Sequence, residues 1–470
     1  MRAEIALAAV VLLAGCAGTR PPTPQEARVG APLAWRTSVD AGGELSARWW
    51  DSFGDPGLTA VVETALAHNE DIRIAAARIE ELASQAALAH ARRMPEVEGS
   101  VSRQRDRSVN PAYGTPDVEN LTESVVGFSY DADLFGRLRA ADAASRADLL
   151  ATRAAHDDIR LAVAALAARS WFTLRSLDER LDILRQTVLV REQTLQLVRR
   201  RVSVGYATQL DLAQADAEYR ATQQLVPVTE LSISRTEDAL SVLLGQSPRE
   251  IERSVATPTL PSIPAALPSS LLRRRPDIVE AEELLVAADR RLDASRAAFM
   301  PDLRLQGDWG HVNSTIIPRP LDVFTIGAGL FAPLFDAGRL KAGQGAAAAR
   351  RDEAAWTYRK TALKAFAEVD DALAATQRLR EQLVALESQR VALDRTLKIA
   401  SRRYKAGYAP FLDQLDAQRG LLSVQLAASQ VRAEQRSAFV TLFQALGGGW
   451  DATELMAANA REGANPADQR

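Results

Sequence analysis

The chain of 470 residues is 47% hydrophobic and 25% charged, with 6% aromatic residues and a formal net charge of −3. A charge this close to balance provides no broad basic surface, so we predict no nucleic-acid partner. Because its four histidines are scattered and it has one cysteine, we also predict no metal site, no cofactor and no disulfide framework.

The N-terminal residues have the features of a bacterial lipoprotein signal. Arg2 precedes an apolar run that ends in Leu13-Ala14-Gly15-Cys16. We expect residues 1–15 to be removed as a secretory signal, which leaves Cys16 as an N-terminus acylated by fatty acids such as palmitate. The residue after Cys16 is Ala17 rather than Asp, which resembles the pattern for lipoproteins that are sorted to the outer membrane. An ordinary signal peptide with an incidental cysteine is the competing interpretation.

The mature chain begins with an irregular segment and continues into a helix. Residues 16–47 are rich in proline and glycine and lack periodicity, which predicts an extended tether. Asp55-Pro56 then ends the extended stretch and starts a helix. The helical pattern runs from Leu58 to about Arg93, and Pro95 closes it.

Alternation with a period of two replaces the helical pattern at about 96–134 and again at about 302–334. Each segment predicts two strands joined by a loop, which is a β-hairpin. Strands of about 9 to 11 residues with one apolar face are typical of membrane-spanning barrels, although soluble hairpins share the pattern. About eight strands are needed to close a barrel, so either several chains contribute or the hairpins form no barrel. The apolar positions of the second strands are Val126, Phe128, Tyr130, Phe324, Ile326 and Leu330.

A long helix follows each hairpin. From Gly136 to about Arg201 no proline interrupts the chain, and a single helix of this length would measure roughly 100 Å. Heptad-spaced leucines and valines predict a coiled-coil seam on this helix and on its counterpart in the second half. Arg191 and Arg390 fall on this seam, and we interpret them as seam-edge or groove-facing charges.

Each long helix turns at a glycine and returns. Gly205 and Gly407 suit a helix C-cap, where positive φ is required. The return helices are predicted over Gln209–Leu244 and Phe411–Leu446. Since the turns are short, each pair of helices consists of antiparallel neighbours.

The second half of the chain repeats the first. The stretch RRVSVGYATQLDLAQAD at Arg200–Asp216 returns as RRYKAGYAPFLDQLDAQR at Arg402–Arg419, at an offset of 202. A repeat of this length indicates two copies of one supersecondary unit. We therefore divide the mature chain into a first repeat, 48–245, a proline-rich linker, 246–270, a second repeat, 271–449, and a polar tail, 450–470.

Sequence patterns of enzymes are missing from the chain. Gly343-Gln344-Gly345 lacks the preceding strand and the third glycine of a dinucleotide-binding loop. Neither HExxH nor GxSxG occurs, and the acidic residues are spread along helices. We therefore predict that the protein is not an enzyme.

Five stretches that span nearly the whole mature chain carry a specific similarity. They are WWDSFGDPGL at Trp49–Leu58, YDADLFGRLR at Tyr130–Arg139, RRRPDIVEAE at Arg273–Glu282, PLFDAGRL at Pro333–Leu340 and the second-copy turn at Arg402–Arg419. Together they resemble the outer membrane factor family, the TolC-type exit ducts, in its lipoprotein branch of multidrug efflux. The resemblance implies an α+β membrane protein with a long antiparallel α-helical barrel in the periplasm. Each of three protomers would give four strands to a trimeric transmembrane β-barrel, with residues 246–270 as an equatorial linker.

The resemblance also implies a gate at the periplasmic tip of the second helical hairpin. Leu412 and Asp416 would supply an apolar ring and a carboxylate ring, each contributed threefold. Arg403 and Tyr404 would tie the inner helices to their neighbours by hydrogen bonds that release on opening. A solvated helix charge is the alternative for Asp416. Asp413 has a counterpart in the first copy, so it has the alternative role of a helix N-terminal contact.

The function implied is a homotrimeric outer-membrane exit duct for small molecules. Its hairpin tips would face a periplasmic membrane fusion adaptor, which joins an inner-membrane efflux pump, expected to be of the RND type. A coiled-coil lipoprotein scaffold without a pore and a type I protein-secretion duct of the same fold are the alternatives. The strands argue against the scaffold, and the lipoprotein signal with RRRPDI favours small-molecule efflux. The tip residues are Val204, Gly205, Tyr206, Ala406, Gly407 and Tyr408.

Overall fold

The computed structural model describes residues 23–37, 42, 45–109, 114, 116–254, 256, 258–263, 268–316 and 318–450. The predicted signal sequence and the lipidation site Cys16 lie outside the described residues. So do 451–470 of the tail and part of the tether.

The described chain alternates helices and strands in the order expected of two repeats. In these parts of the chain, no helix combines the length and the apolar character needed to cross a membrane. The helices are α1 Pro56–His68, α2 Glu70–Ala91, α3 Arg137–Ser203, α4 Gln209–Gln223, α5 Leu225–Leu243, α6 Leu271–Arg274, α7 Pro276–Ala297, α8 Arg339–Lys405 and α9 Phe411–Ala445. The strands are β1 Glu96–Val109, β2 Pro116–Ala132, β3 Asp302–Ser314 and β4 Leu321–Phe331.

The chain divides into two compact units. The first comprises Met1–Val29, Ala77–Arg153 and Glu280–Lys360, and it contains all four strands. The second comprises Gly30–Ala76, Ala154–Val279 and Thr361–Arg470, and it contains both helical turns.

The first unit is built on a four-stranded antiparallel sheet with the order β1-β2-β3-β4. The predicted hairpins are both present, and they join through β2 and β3. One row of the sheet aligns Val97, Phe128, Gly307 and Ile326, and the Phe128 ring fills the space that a Cβ on Gly307 would need. Because side chains alternate along a strand, the apolar residues share one face of the sheet. Exposed members of this apolar face are Val97, Val101, Val126, Phe128, Trp309, Phe324, Ile326 and Leu330.

The helix predicted from Leu58 to about Arg93 is two helices, α1 and α2. Asn69 separates them in an extended conformation, with φ −64° and ψ 133°. Its side-chain oxygen accepts hydrogen bonds from the amides of Asp71 and Ile72, at 3.0 and 3.3 Å. Asn69 therefore caps α2, and an asparagine that bonds its own backbone favours such a break over a continuous helix.

The first return helix, predicted as one element over Gln209–Leu244, is also interrupted. Gln224 separates α4 from α5 while it keeps helical dihedral angles, with φ −64° and ψ −24°. Pro227 has no amide hydrogen to donate to the carbonyl four residues earlier, so the helical ladder is broken here. The second copy has Ser429 at the corresponding position, and α9 is continuous.

The second unit has an aromatic core at the start of α1. Trp49 stacks on Phe443 with ring centroids 5.5 Å apart, and Phe53 lies 5.1 Å from Phe172. The buried Asp55 carboxylate accepts four hydrogen bonds, from the Gly57 amide at 2.9 Å, the Leu58 amide at 3.4 Å, the Trp171 indole at 2.8 Å and the Ser254 hydroxyl at 2.5 Å. The WWDSFGDPGL stretch is thus a packing and capping element.

Candidate functional site

The two helical turns of the second unit have the same backbone geometry. Gly205 has φ 78° and Gly407 has φ 80°, which confirms the positive φ predicted for both. After each glycine a tyrosine amide bonds to the carbonyl of an arginine, Tyr206 to Arg201 and Tyr408 to Arg403, both at 2.8 Å. Each long helix therefore ends in a Schellman-type cap, and the repeat in sequence is a repeat in structure.

The two return helices begin differently. Thr208 and Asp211 form a capping box at the start of α4, with bonds of 2.9 and 3.1 Å. Pro410 occupies the N-cap of α9 and makes no side-chain cap. Asp413 is exposed and cannot copy the role of Asp211, because proline has neither the amide hydrogen nor the hydroxyl of a capping box. The capping box is therefore not duplicated, although Asp413 does lie in the first turn of α9.

Leu412 and Asp416 lie one turn apart on the exposed face of α9. The Leu412 side chain is 48% exposed and that of Asp416 is 65% exposed. Arg419 lies 3.8 Å from the Asp416 carboxylate, a long ion pair. Residues four apart on a helix are neighbours, so an apolar and an acidic side chain share this face.

Tyr404 lies on the packed side of the same turn. It is 5% exposed, and its ring centroid is 5.4 Å from that of Phe411. Burial raises the pKa of the Tyr404 phenol above its ordinary value. Its hydroxyl has no hydrogen-bond partner among the described residues. The surrounding cluster contains Leu195, Val198, Ala215, Phe411 and Leu415.

Arg403 does not join Tyr404 in this cluster. It is exposed, and within the described chain its guanidinium bonds the carbonyl of Tyr408 in its own turn, at 3.4 Å. Of the four predicted gate residues, Leu412 and Asp416 therefore share a face, whereas Tyr404 and Arg403 occupy separate surroundings.

Arg201 was missed as a site residue by the sequence analysis. Its guanidinium donates to the carbonyls of Tyr404, at 2.8 Å, and Lys405, at 2.5 Å. It also lies over the Tyr404 ring, 4.7 Å from the centroid. These hydrogen bonds pair carbonyls that the C-terminus of α8 leaves unbonded, and the positive charge interacts favourably with the negative end of the helix dipole. Arg201 therefore links the first turn to the second. The recurrence of Arg201 as Arg403 was the only sequence signal for it.

A second missed residue is Glu218 on α4. Its carboxylate binds Arg191 on α3 at 2.8 Å and Arg419 on α9 at 2.5 Å. Arg191 is 5% exposed, and burial lowers its pKa from the ordinary value, which Glu218 opposes. Of the two predicted positions for Arg191, the seam edge is wrong and the groove is correct, because Arg191 is a buried link between helices that lines a cavity with Thr187 and Gln418. Arg390 does match that interpretation, since it is half-exposed and pairs with Glu387 on its own helix at 2.7 Å.

Each turn ends in an apolar tip. Val204 is 64% exposed, Tyr206 is 82% exposed and Tyr408 is 79% exposed. Ala406 and both turn glycines are exposed as well. Large exposed aromatic side chains beside small residues suit contact with another protein.

The described residues include no group of three or more histidine, cysteine, aspartate or glutamate side chains that could hold a metal ion.

Comparison with known proteins shows extensive similarity. Residues 61–246 and 267–448 match the protein family described as outer membrane efflux protein. The chain is 34% identical over 450 residues to the pyoverdine export outer membrane protein OpmQ of Pseudomonas putida, a match of 92% of this chain and 94% of OpmQ. It is 33% identical over 415 residues to the probable efflux pump outer membrane protein TtgC of the same species, a match of 86% of this chain and 85% of TtgC.

The fold has close structural relatives as well. The structure matches the outer-membrane channel OprN with a TM-score of 0.84 and 27% sequence identity. This match spans 93% of the present chain and the whole of the OprN chain.

Proposed function

Because the chain belongs to the outer membrane efflux protein family, whose members are transport channels, we propose that it is the exit duct of a tripartite efflux system. In this system the duct receives small molecules from an inner-membrane pump, of the RND type, through a periplasmic adaptor. The observation that carries the proposal is the four-stranded sheet, whose apolar face is exposed along its whole width. A coiled-coil scaffold without a pore has no use for such a face.

Three copies of the chain assemble into the duct. One protomer supplies four strands, and β1 and β4 keep free edges within the described chain. Edges of this kind are normally paired or protected, and about eight strands are needed for closure. A homotrimer with twelve strands satisfies both conditions and turns the apolar face towards outer-membrane lipid.

Leu412 and Asp416 form the periplasmic gate. Their exposure on one face of α9 supports two stacked rings, in which each residue occurs three times. The leucine ring narrows and dewets the passage, and the carboxylate ring attracts cations. Tyr404 holds the surrounding helices by packing within the tip cluster rather than by its hydroxyl. Arg403 contributes to the gate by bracing its own turn through the Tyr408 carbonyl.

The hairpin tips contact the adaptor. The exposure of Tyr206 and Tyr408 at identical turns, each next to a glycine, supports two equivalent docking points per protomer. Val204 and Ala406 complete the apolar surface of these tips.

Cys16 anchors the mature N-terminus in the inner leaflet of the outer membrane. The support is the sequence Leu13-Ala14-Gly15-Cys16 behind a short apolar run. Two or more acyl chains on one residue give stable membrane attachment, whereas one chain gives only marginal attachment.

Small organic molecules are the cargo. OpmQ is named for pyoverdine export and TtgC for an efflux pump, which supports cargo of this size rather than folded protein. A wide polar duct discriminates little, so the pump selects the substrate.

Single-channel conductance in planar bilayers tests the duct and its gate together. Wild type should show small, cation-favouring steps, and the Leu412→Ala/Asp416→Ala variant should show much larger ones. Leu210→Ala/Asp216→Ala is the matched control, because both side chains are exposed on the first-copy helix and Asp216 has a similar ion pair, 3.6 Å to Arg220. Equal steps from both double variants would contradict the gate, and folded, inserted protein that never conducts would favour the scaffold.

A further inference from the structure

The second half of β1 carries three arginines at alternate positions, Arg103, Arg105 and Arg107. With a period of two, all three project from the same face of the strand as Val97 and Val101. All three are exposed. Successive guanidinium groups are therefore spaced at about 7 Å along this face.

The register of the sheet puts this arginine stripe just beyond the apolar face. Val126 on β2 and Trp309 on β3 lie opposite each other in the last apolar row. In the next row, His311 on β3 pairs with Asp322 on β4. Beyond that row Arg103 lies opposite Thr122 on β2, and Arg105 and Arg107 extend further from α2. The apolar rows from Leu303 to Trp309 span roughly 20 Å.

The opposite face of the sheet has the opposite charge. In the described strands its single basic residue is Arg304, which binds Asp131 at 2.9 Å. The arginine stripe therefore lies on the side away from most carboxylates, so attraction within the sheet does not explain it. The acidic side chains of this opposite face include Glu96, Glu98, Asp106, Glu119, Glu123 and Asp308.

The arginines are not needed to build the hairpin. Among the described residues none of the three has a salt bridge or a side-chain hydrogen bond. At the offset of 206 that relates β1 to β3, the second copy has Trp309, His311 and Asn313 instead. Exposed arginines without partners contribute little to stability, so their role lies in what they meet outside the chain.

We propose that the arginine stripe binds the phosphate groups of the outer-leaflet glycolipid, lipopolysaccharide. The inference rests on the proposed function, which puts the helices in the periplasm and the far ends of the strands at the cell surface. A planar guanidinium binds phosphate through two parallel hydrogen bonds, which makes arginine suited to this contact. The apolar rows next to the stripe point to a lipid rather than free phosphate, because acyl chains cover those rows while the headgroups reach Arg103.

The test uses the purified full-length protein in nanodiscs and fluorescently labelled lipopolysaccharide. The Arg103→Gln/Arg105→Gln/Arg107→Gln triple variant should bind it about tenfold more weakly or worse, because each basic residue near an anionic lipid surface adds to the affinity. The Arg→Lys triple variant at the same positions keeps the charge but loses the paired hydrogen bonds of the guanidinium, so its affinity should fall between those of wild type and the Gln variant. Arg235→Gln/Arg380→Gln/Arg395→Gln is the matched control, since it removes three exposed arginines from helices and should bind like wild type.

Two competitors separate the possible ligands. Dephosphorylated lipopolysaccharide should bind wild type as weakly as intact lipopolysaccharide binds the Gln triple variant. Inorganic phosphate at millimolar concentration should not displace the lipid; if it does so fully, the stripe is a free-phosphate site and the proposal is wrong.

Wild-type binding by the Gln triple variant, or an equal loss in the helix control, would also overturn the proposal. Conductance of wild type is measured on the same preparations. A wild type that conducts while the stripe variant binds normally refutes the lipid site alone. A wild type that inserts without conducting refutes the duct instead.

Discussion

The guanidinium of Arg275 donates a hydrogen bond to the main-chain oxygen of Ala445 over 3.1 Å. The side-chain amide of Asn69 makes the corresponding contact with the main-chain oxygen of Leu243 over 3.0 Å. In both copies the residue at the break between two helices holds the end of the return helix. The duplication thus preserves a contact although the side chain that makes it has changed from an amide to a guanidinium.

Loss of Arg275 should destabilise the protein strongly. It is buried and binds Asp277 and Glu368, both at 2.7 Å. Arg275→Met leaves two carboxylates without their partner, which we expect to cost about 3 to 5 kcal/mol. Thermal unfolding of the purified protein measures the loss. Arg273→Met, at an exposed position two residues earlier, should change the Tm little, and equal effects of the two variants would contradict the role of Arg275.

The glycines of the chain should differ sharply in their tolerance of alanine. Gly447 and Gly407 have φ of 90° and 80°, so both substitutions carry the left-handed penalty of about 1 kcal/mol. A Cβ on Gly447 would also lie 1.8 Å from the carbonyl oxygen of Arg274, whereas one on Gly407 meets nothing within 4 Å. Gly447→Ala should abolish most of the folded yield, and Gly407→Ala should lower only the Tm slightly. Similar yields for both variants would show that the backbone near Arg274 moves readily.

Arg201 should restrain the second turn more than its copy Arg403 does. Arg201 bridges from the first turn to the carbonyls of Tyr404 and Lys405, while Arg403 bonds within its own turn. Under the proposed gating, Arg201→Ala releases the end of α8 and increases single-channel conductance. Arg403→Ala is the control and should have a smaller effect. A larger effect of Arg403→Ala would argue that contacts between protomers hold the gate.

Asp158 should make stability depend on pH between 3.8 and about 6. Burial, together with the charges of Asp277 and Glu368, raises its pKa from 3.8 to about 6, although Arg275 and Lys364 act in the opposite direction. Above pH 6 the folded protein therefore holds an unfavourable carboxylate. This cost is relieved as the pH falls towards 3.8, because the folded state binds the proton more tightly than the unfolded state does.

Asp158→Asn should consequently raise the Tm above that of wild type at about pH 7.5, and the difference should vanish at about pH 4. Thermal unfolding across this range measures it. Asp182→Asn, an exposed aspartate on the same helix, should give no pH-dependent difference. If Asp158→Asn lowers the Tm at pH 7.5, the carboxylate is stabilised by Arg275 and our sign is wrong.

Local patterns allowed much of the architecture to be predicted. The alternation around Phe128 predicts a strand because side chains alternate in any strand, whatever it packs against. Gly205 and Gly407 predict the turns because glycine, which has no Cβ, adopts the positive φ of a helix C-cap without strain. Where the local signal was weak the prediction failed, since Asn69 and Gln224 interrupt helices that periodicity alone continues.

The sequence by itself determined the repeat, the order of helices and strands, and the two turns, because backbone preferences and periodicity act over a few neighbouring residues. Only the tertiary structure decided the side-chain partners. Arg201 and Arg403 occupy equivalent positions, yet one holds the opposite turn and the other its own. Arg191 is buried against Glu218, while Arg390 remains half-exposed. Each of these differences depends on which distant segment packs nearby. A buried charge needs a partner because its burial costs free energy, and that cost arises only when the helices pack together.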